Sequence, residues 1–232
     1  SIDDLALIAE QLMAFDGRDS SMRLRPRPRL RATASSEPPV DPRFIFVRSP
    51  VWNQANADCQ EAFSELVEFL GEGCDEVELP QPFNEAVRWH RTIMYADLAK
   101  SFSNLYHTGK DQLTATLRDM IEEGQTTLAV DYNRALDMAS VLYAGLERVF
   151  DRYDAIITPA TTGEAPVGLD STGSPVFCTL WTYLGVPAVT LPLLRGQSGM
   201  PIGVQVVGLR NDDARLLRTA RWLADKVASD DQ

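Results

Sequence analysis

Asp154-Ala155-Ile156-Ile157-Thr158-Pro159-Ala160-Thr161-Thr162 opens the stretch that decides the fold. It continues through Phe177-Cys178-Thr179-Leu180-Trp181-Thr182-Tyr183-Leu184-Gly185-Val186-Pro187-Ala188-Val189-Thr190-Leu191-Pro192, then Gly199-Met200-Pro201-Ile202-Gly203-Val204-Gln205-Val206-Val207-Gly208, and closes on Asp212-Asp213-Ala214-Arg215-Leu216-Leu217. The apolar runs at 155–158, 188–191 and 202–207 read as strands, the last two joined across 196–201 as a hairpin. A final helix over 212–228 follows, with Asn211 as its cap and Asp212 and Asp213 in its first turn, where acids complement the helix dipole.

Upstream the pattern changes twice. Residues 3–15 place Leu5, Ile8, Leu12 and Phe15 on one helical stripe behind Ser1 as a cap, and Gly17 stops it. Residues 16–42, rich in Arg, Pro, Ser and Thr, read as a linker-like loop. Phe44-Ile45-Phe46-Val47 is a strand, 54–70 a helix, and Glu76-Val77-Glu78-Leu79 a second strand. That unit is short enough for a right-handed crossover between parallel strands. From 83 to 150 the pattern is helical, with breaks expected at Gly109 and Gly124. Its third segment sets Leu128, Tyr132, Leu136, Leu142, Leu146 and Phe150 on a stripe fit to pack on a sheet. The whole predicts one α/β domain over 1–232, a mixed β-sheet flanked by helices.

The order and spacing of the residues quoted from 154 to 217, with their fixed Pro and Gly positions, resemble the C-terminal portion of amidase-signature hydrolases, serine enzymes that cleave carboxamides. Ser1-Ile2-Asp3-Asp4-Leu5-Ala6-Leu7-Ile8 is similar to the helix that follows the catalytic segment in that family. The resemblance implies the C-terminal half of the amidase-signature fold. It also implies that the chemistry is done by a Gly/Ser-rich segment and a lysine that have no counterpart here. The chain begins at Ser1 rather than Met, which fits a piece of a longer protein.

No residue in the chain stands in for that machinery, so the sequence predicts no catalytic residue here. Ser20-Ser21 and Ser35-Ser36 lack flanking glycines whose amides could hold an oxyanion, and both read as loop serines. Ser198, between Gln197 and Gly199, reads as part of a hairpin turn. Lys100, Lys110 and Lys226 read as exposed helix lysines, whereas a general-base lysine needs burial or a cationic neighbour. His90 and His107 have no Asp or Cys at metal or triad spacing. No cofactor and no metal are implied.

The resemblance implies pocket positions at Phe177, Cys178, Trp181 and Thr182, because the equivalent segment passes beside the catalytic serine and helps line the acyl pocket. Core packing is the rival reading for all four, and Cys178 reads as a small apolar liner rather than a nucleophile. Amidotransferase subunits that resemble this segment usually carry an Asp two residues before the Phe, where this chain has Pro175. That departure disfavours a tRNA-dependent role and favours a small-molecule amide as substrate.

Charge argues the same way. A net charge of -11 and a pI near 4.7 disfavour nucleic acid and anionic membranes as partners. Arginines alternate in Arg23-Leu24-Arg25-Pro26-Arg27-Pro28-Arg29-Leu30-Arg31, which excludes a helix and reads either as a solvated linker or as an anion-binding strip. Cys59, Cys74 and Cys178 lie at wide spacings without a CxxC, so neither a disulfide framework nor zinc is indicated and a reducing cytoplasm fits. No apolar run approaches the roughly 20 residues that span a bilayer.

The expected function is the C-terminal part of an amidase hydrolysing carboxamides, bound to its missing N-terminal half or self-associated. The rivals are a catalytically silent interaction or regulatory remnant of the fold and a fragment of an amidotransferase A-type subunit.

Overall fold

The computed structural model describes residues 1–19 and 22–230. Ser20 and Ser21, read above as loop serines, lie outside the described residues. Five strands form one mixed sheet in the order β2-β1-β3-β5-β4. They are β1 (Phe44–Arg48), β2 (Cys74–Glu78), β3 (Ala155–Pro159), β4 (Ala188–Arg195) and β5 (Pro201–Val207). The first three run parallel, with Phe44 opposite both Cys74 and Ala155. β5 pairs antiparallel with β3, Ile156 opposite Val207, and with β4, Val189 opposite Val206. The parallel pair and the hairpin are those expected from the alternating pattern.

The inner strand β3 is buried throughout, as its unbroken apolar run requires. One face of the sheet carries α3 (Ala57–Leu70) and α9 (Asp213–Asp230), which close a core of Phe44, Phe46, Phe63, Leu66, Ile157, Val204 and Leu223. The other face carries α4 (Ala86–Ser101), α7 (Ala129–Glu147) and α8 (Val176–Leu184) over Ile45, Val47, Ile156 and Val207. Outside α9 lie α1 (Ile2–Leu12) and α2 (Leu30–Ala34), in contact with it and with each other. α5 (Ser103–Gly109) and α6 (Ala115–Gln125) complete the helical middle.

Several expectations need correction. The stretch 16–42 is not structureless, since Leu30 and Ala34 of α2 are buried with Ala6 and Leu217. α1 has the expected Ser1 cap, a reciprocal capping box with Asp4, but the helix stops at Leu12. Its buried residue is Ala6, while Leu5, Ile8 and Leu12 face outward. α3 starts at Ala57, behind a short 3₁₀ turn at Trp52–Gln54. The buried residues of α7 are Ala135, Leu142 and Leu146, while Leu128 at its N-cap and Leu136 are exposed. Asn211 does not cap α9: it sits at φ 64 in the preceding turn, and the first helical acceptor is the Asp212 carbonyl, bonded by Leu216 N–H.

The break expected at Gly124 falls one residue later, where α6 ends at Gln125 before α7 begins at Ala129. Gly124 itself lies in the last turn of α6, and a Cβ there would fall 1.9 Å from the Tyr95 carbonyl oxygen of α4. The glycine is what lets the two helix backbones approach.

Candidate active-site wall at α8

The floor under α8 is a row of polar side chains set by sheet register. Thr158 on β3 pairs with Gln205 on β5, and Gln205 with Thr190 on β4, so the three stand on one face. Thr158 Oγ1 donates to the Val47 carbonyl at 3.3 Å, which extends the row to β1. Gln205 is the one polar side chain in an otherwise apolar inner strand and is 5% exposed.

α8 is fixed at both ends. At its start the Val176 N–H reaches Ser174 Oγ at 3.3 Å. At its end Gly185 takes the left-handed conformation (φ 61), so that its N–H reaches the Thr182 carbonyl and Val186 N–H the Trp181 carbonyl. Arg210 Nε donates to the Leu184 carbonyl at 2.8 Å while its guanidinium stacks 3.7 Å from the Tyr143 ring.

The four predicted pocket residues divide by helix face. Phe177 and Trp181 are both 1% exposed, the former packed among Phe46 and Val204, the latter among Ile45, Val47 and Trp89. Cys178 is half-buried and Thr182 exposed, one turn apart on the open flank. The Cys178 thiol donates to the Ala160 carbonyl at 3.4 Å, and Gln205 Nε2 donates to Sγ at 3.5 Å. Trp181 Nε1, Gln205 Oε1 and Ser49 Oγ are buried without a hydrogen-bond partner among the described residues. A buried polar atom left without any partner costs about 1–3 kcal/mol. Sequence reading missed Gln205, Thr190 and Ser49. The signal available was a glutamine inside the run 202–207.

The loop from Ala160 to Pro175 is anchored where it leaves β3. Asn56 N–H reaches the Thr162 carbonyl at 2.7 Å, and Gly163 passes so close under the Asn56 side chain that a Cβ would meet Nδ2 at 2.6 Å. The Glu164 carboxylate accepts the Met200 N–H at 2.9 Å and the Ser198 hydroxyl. Ser198 is therefore tied into the hairpin turn by the Glu164 carboxylate, which also holds the Met200 N–H.

The remaining candidates lie at the surface or, for His90 and Lys226, half-buried. Ser35 Oγ donates to Asp3 at 3.0 Å and Ser36 Oγ to the Thr33 carbonyl at 2.7 Å. Lys110 contacts Glu122 at 2.7 Å, which pushes its ammonium up to about 12, the opposite of what a general base needs. His107 Nδ1 lies 2.6 Å from the Ser103 carbonyl oxygen, and burial lowers the His90 imidazole. Two concavities stand out elsewhere. One of about 830 Å³ lies between the end of α1 and the arginine run, the other of about 300 Å³ along α9. Neither is lined by α8. What α8 and the polar row offer is one wall with small polar groups, holding no nucleophile paired with a base.

The amidase family model matches residues 1–217. Among curated proteins the chain is similar to the A subunit of the glutamyl-tRNA(Gln) amidotransferase of Cupriavidus necator, 26% identical, with 95% of this chain and 53% of that protein covered. Its counterpart from Symbiobacterium thermophilum is 34% identical over 41% of this chain and 21% of its own length. Among solved structures, the inhibitor-bound form of a vestigial protein complex linked to the origins of an s-triazine catabolic enzyme superimposes with TM-score 0.83, at 20% identity over 97% of this chain and 51% of that one. 6-Aminohexanoate cyclic dimer hydrolase superimposes with TM-score 0.79, at 19% identity over 98% and 53%. The structural likeness is one of fold. The chain spans about half the length of the first-named curated relative and of both structures.

Proposed function

We propose, from the premise that this chain belongs to the amidase family, that it is the C-terminal part of an amidase. Such an enzyme would hydrolyse the C–N bond of carboxamides other than peptides to a carboxylate and ammonia or an amine. The observation that carries the reading is the family match across residues 1–217 of a chain half as long as its relatives. The wall at α8 supports it: Phe177 and Trp181 would back an acyl pocket, while Cys178, Thr182, Gln205 and Thr190 would present small polar groups to a small-molecule amide. Serine and lysine would come from the rest of the parent protein.

The open surfaces fit that division. β4 is an edge strand with Ala188 and Thr190 exposed, and α1 exposes Leu5, Ile8 and Leu12. Bare edges and apolar stripes are normally covered, here by the missing half or by self-association. Among the described residues no helix is long and apolar enough to cross a membrane, and three unpaired cysteines support a reducing cytoplasm.

A second reading, a fragment of an amidotransferase A-type subunit, is favoured by the names of the curated relatives. Pro175 and the net charge of -11 weigh against it. A catalytically silent remnant of the fold is the third. The test is ammonia release from simple carboxamides by the purified 232-residue chain and by the intact parent. Turnover by the parent alone is expected. Turnover by the short chain at the parent's rate, with labelling by a serine-directed probe, would place the active site within these residues and send attention first to Ser198. Stable copurification with tRNA-dependent partner subunits would instead select the second reading.

A further inference from the structure

Two charge rows of opposite sign, each without an ion pair among the described residues, lie on the α3–α9 side of the sheet. The first is the arginine run. Residues 23–29 form no helix or strand, and Arg23, Arg25 and Arg27 line the 830 Å³ groove together with Met13, Phe15 and Met22. None of the three guanidinium groups has an ion pair or hydrogen bond among the described residues. In a chain of net charge -11 with many exposed acids, three such arginines side by side need a reason.

The second row is on α3. Its inner face buries Cys59, Ala62, Phe63, Leu66 and Leu70, and its outer face exposes Glu61, Glu65 and Glu68. These three also have no ion pair among the described residues, and Phe69 beside them is 36% exposed. Extended backbone sets alternate side chains ~6–7 Å apart, so Arg23 to Arg27 covers about 13 Å. Helical rise carries Glu61 to Glu68 over about 11 Å. Each row thus holds three charges over nearly the same length.

Both features border α9. The groove meets α9 at Asp213, and Lys226 near the other end of α9 stands 6.0 Å from the Phe69 ring of α3. The groove and Phe69 thus lie about 20 Å apart along α9. A two-fold axis that brought each arginine row over the partner's glutamate row would make the contact twice.

We infer that this chain forms a symmetric homodimer in which Arg23, Arg25 and Arg27 of one copy pair with Glu61, Glu65 and Glu68 of the other. Phe69 of each copy lies against the partner groove of Met13, Phe15 and Met22. Exposed ion pairs add little affinity singly, so the apolar contact supplies the buried area and the charges set register and encounter rate. The inference goes beyond the amidase reading and needs no part of it.

The experiment is sedimentation equilibrium of the 232-residue chain at low and high salt, with two charge-reversed forms, R23E/R25E/R27E and E61R/E65R/E68R. The expected result is a dimer whose Kd rises about tenfold or more between low and high salt, since exposed charges are screened. Each reversed form alone should be monomeric. An equimolar mixture should re-form a heterodimer, because every reversed row then meets its complement, and that recovery also shows both variants folded. A monomer at every concentration, a dimer that survives either reversal, or a mixture that stays monomeric would overturn the inference. Ammonia release by the parent should be unchanged by either reversal, so the two readings fail separately.

Discussion

The Tyr183 hydroxyl donates to the Ala135 carbonyl oxygen at 2.5 Å, tying α8 to the middle of α7. Burial pushes the Tyr183 phenol up to about 12, so it remains a donor at any ordinary pH. Through this bond the helical middle of the chain holds the candidate pocket wall.

Tyr183→Phe should lower stability by about 1 kcal/mol, the usual net value of one hydrogen bond, without changing the fold. Trp181→Ala should cost more, about 3–5 kcal/mol, because its ring is fully enclosed. In the intact parent Trp181→Ala should also shift preference among amides of different acyl size by about 1–3 kcal/mol in kcat/KM. Urea midpoints and a series of amides check these values, and equal losses for every amide would make Trp181 core alone.

Of the three thiols, Cys178 should react first with a thiol reagent in the native protein. Cys59 and Cys74 are buried, which pushes both up to about 11 and leaves little thiolate. One fast and two slow equivalents are expected, with the fast one removed by Cys178→Ser. In the parent that variant should keep most amide turnover, whereas a loss of several orders of magnitude would make Cys178 a nucleophile.

Two glycines give a matched pair. Gly124→Ala forces a methyl into the Tyr95 carbonyl and should destabilise by about 3 kcal/mol, the upper part of the overpacking range. Gly145 lies in α7 with nothing within 4 Å of the place a Cβ would take, and Gly145→Ala should stabilise by roughly 0.5–1 kcal/mol. Thermal melts that moved in the same direction for both would refute the helix-crossing role.

Alkaline pH should unfold the chain through three buried acids. Cys59 and Cys74 rise from 9.0 to about 11, and Tyr183 rises from 10.0 to about 12. Above pH 9 the unfolded chain gives up these protons before the folded one does, so stability is full below that point and falls as pH rises through 9–12. Each group contributes on the order of 2 kcal/mol. Replacing both Cys59 and Cys74 by Ala should delay the onset by about one pH unit, to where Tyr183 begins. Tm measured across this range checks the sign, and a flat profile would contradict it.

By itself the sequence determined the α/β class, the β1-α3-β2 crossover, the β4–β5 hairpin and the amidase resemblance. These rest on local periodicity and turn residues, which record how a segment is buried but not what buries it. Tertiary structure alone decided the order β2-β1-β3-β5-β4, and with it the row Thr158-Gln205-Thr190, because strand register brings together residues far apart in the chain. The stripe Leu5, Ile8, Leu12 is apolar and helical, as its spacing requires, yet it faces outward, since α2 and α9 meet the other side of α1 at Ala6. Gly124 marks the end of α6 in the sequence, but only the tertiary structure shows that it also lets α6 approach α4 at Tyr95. Phe177 and Trp181 are separated from Cys178 and Thr182 only by the direction in which α8 lies on the sheet, and no spacing within nine residues encodes that direction.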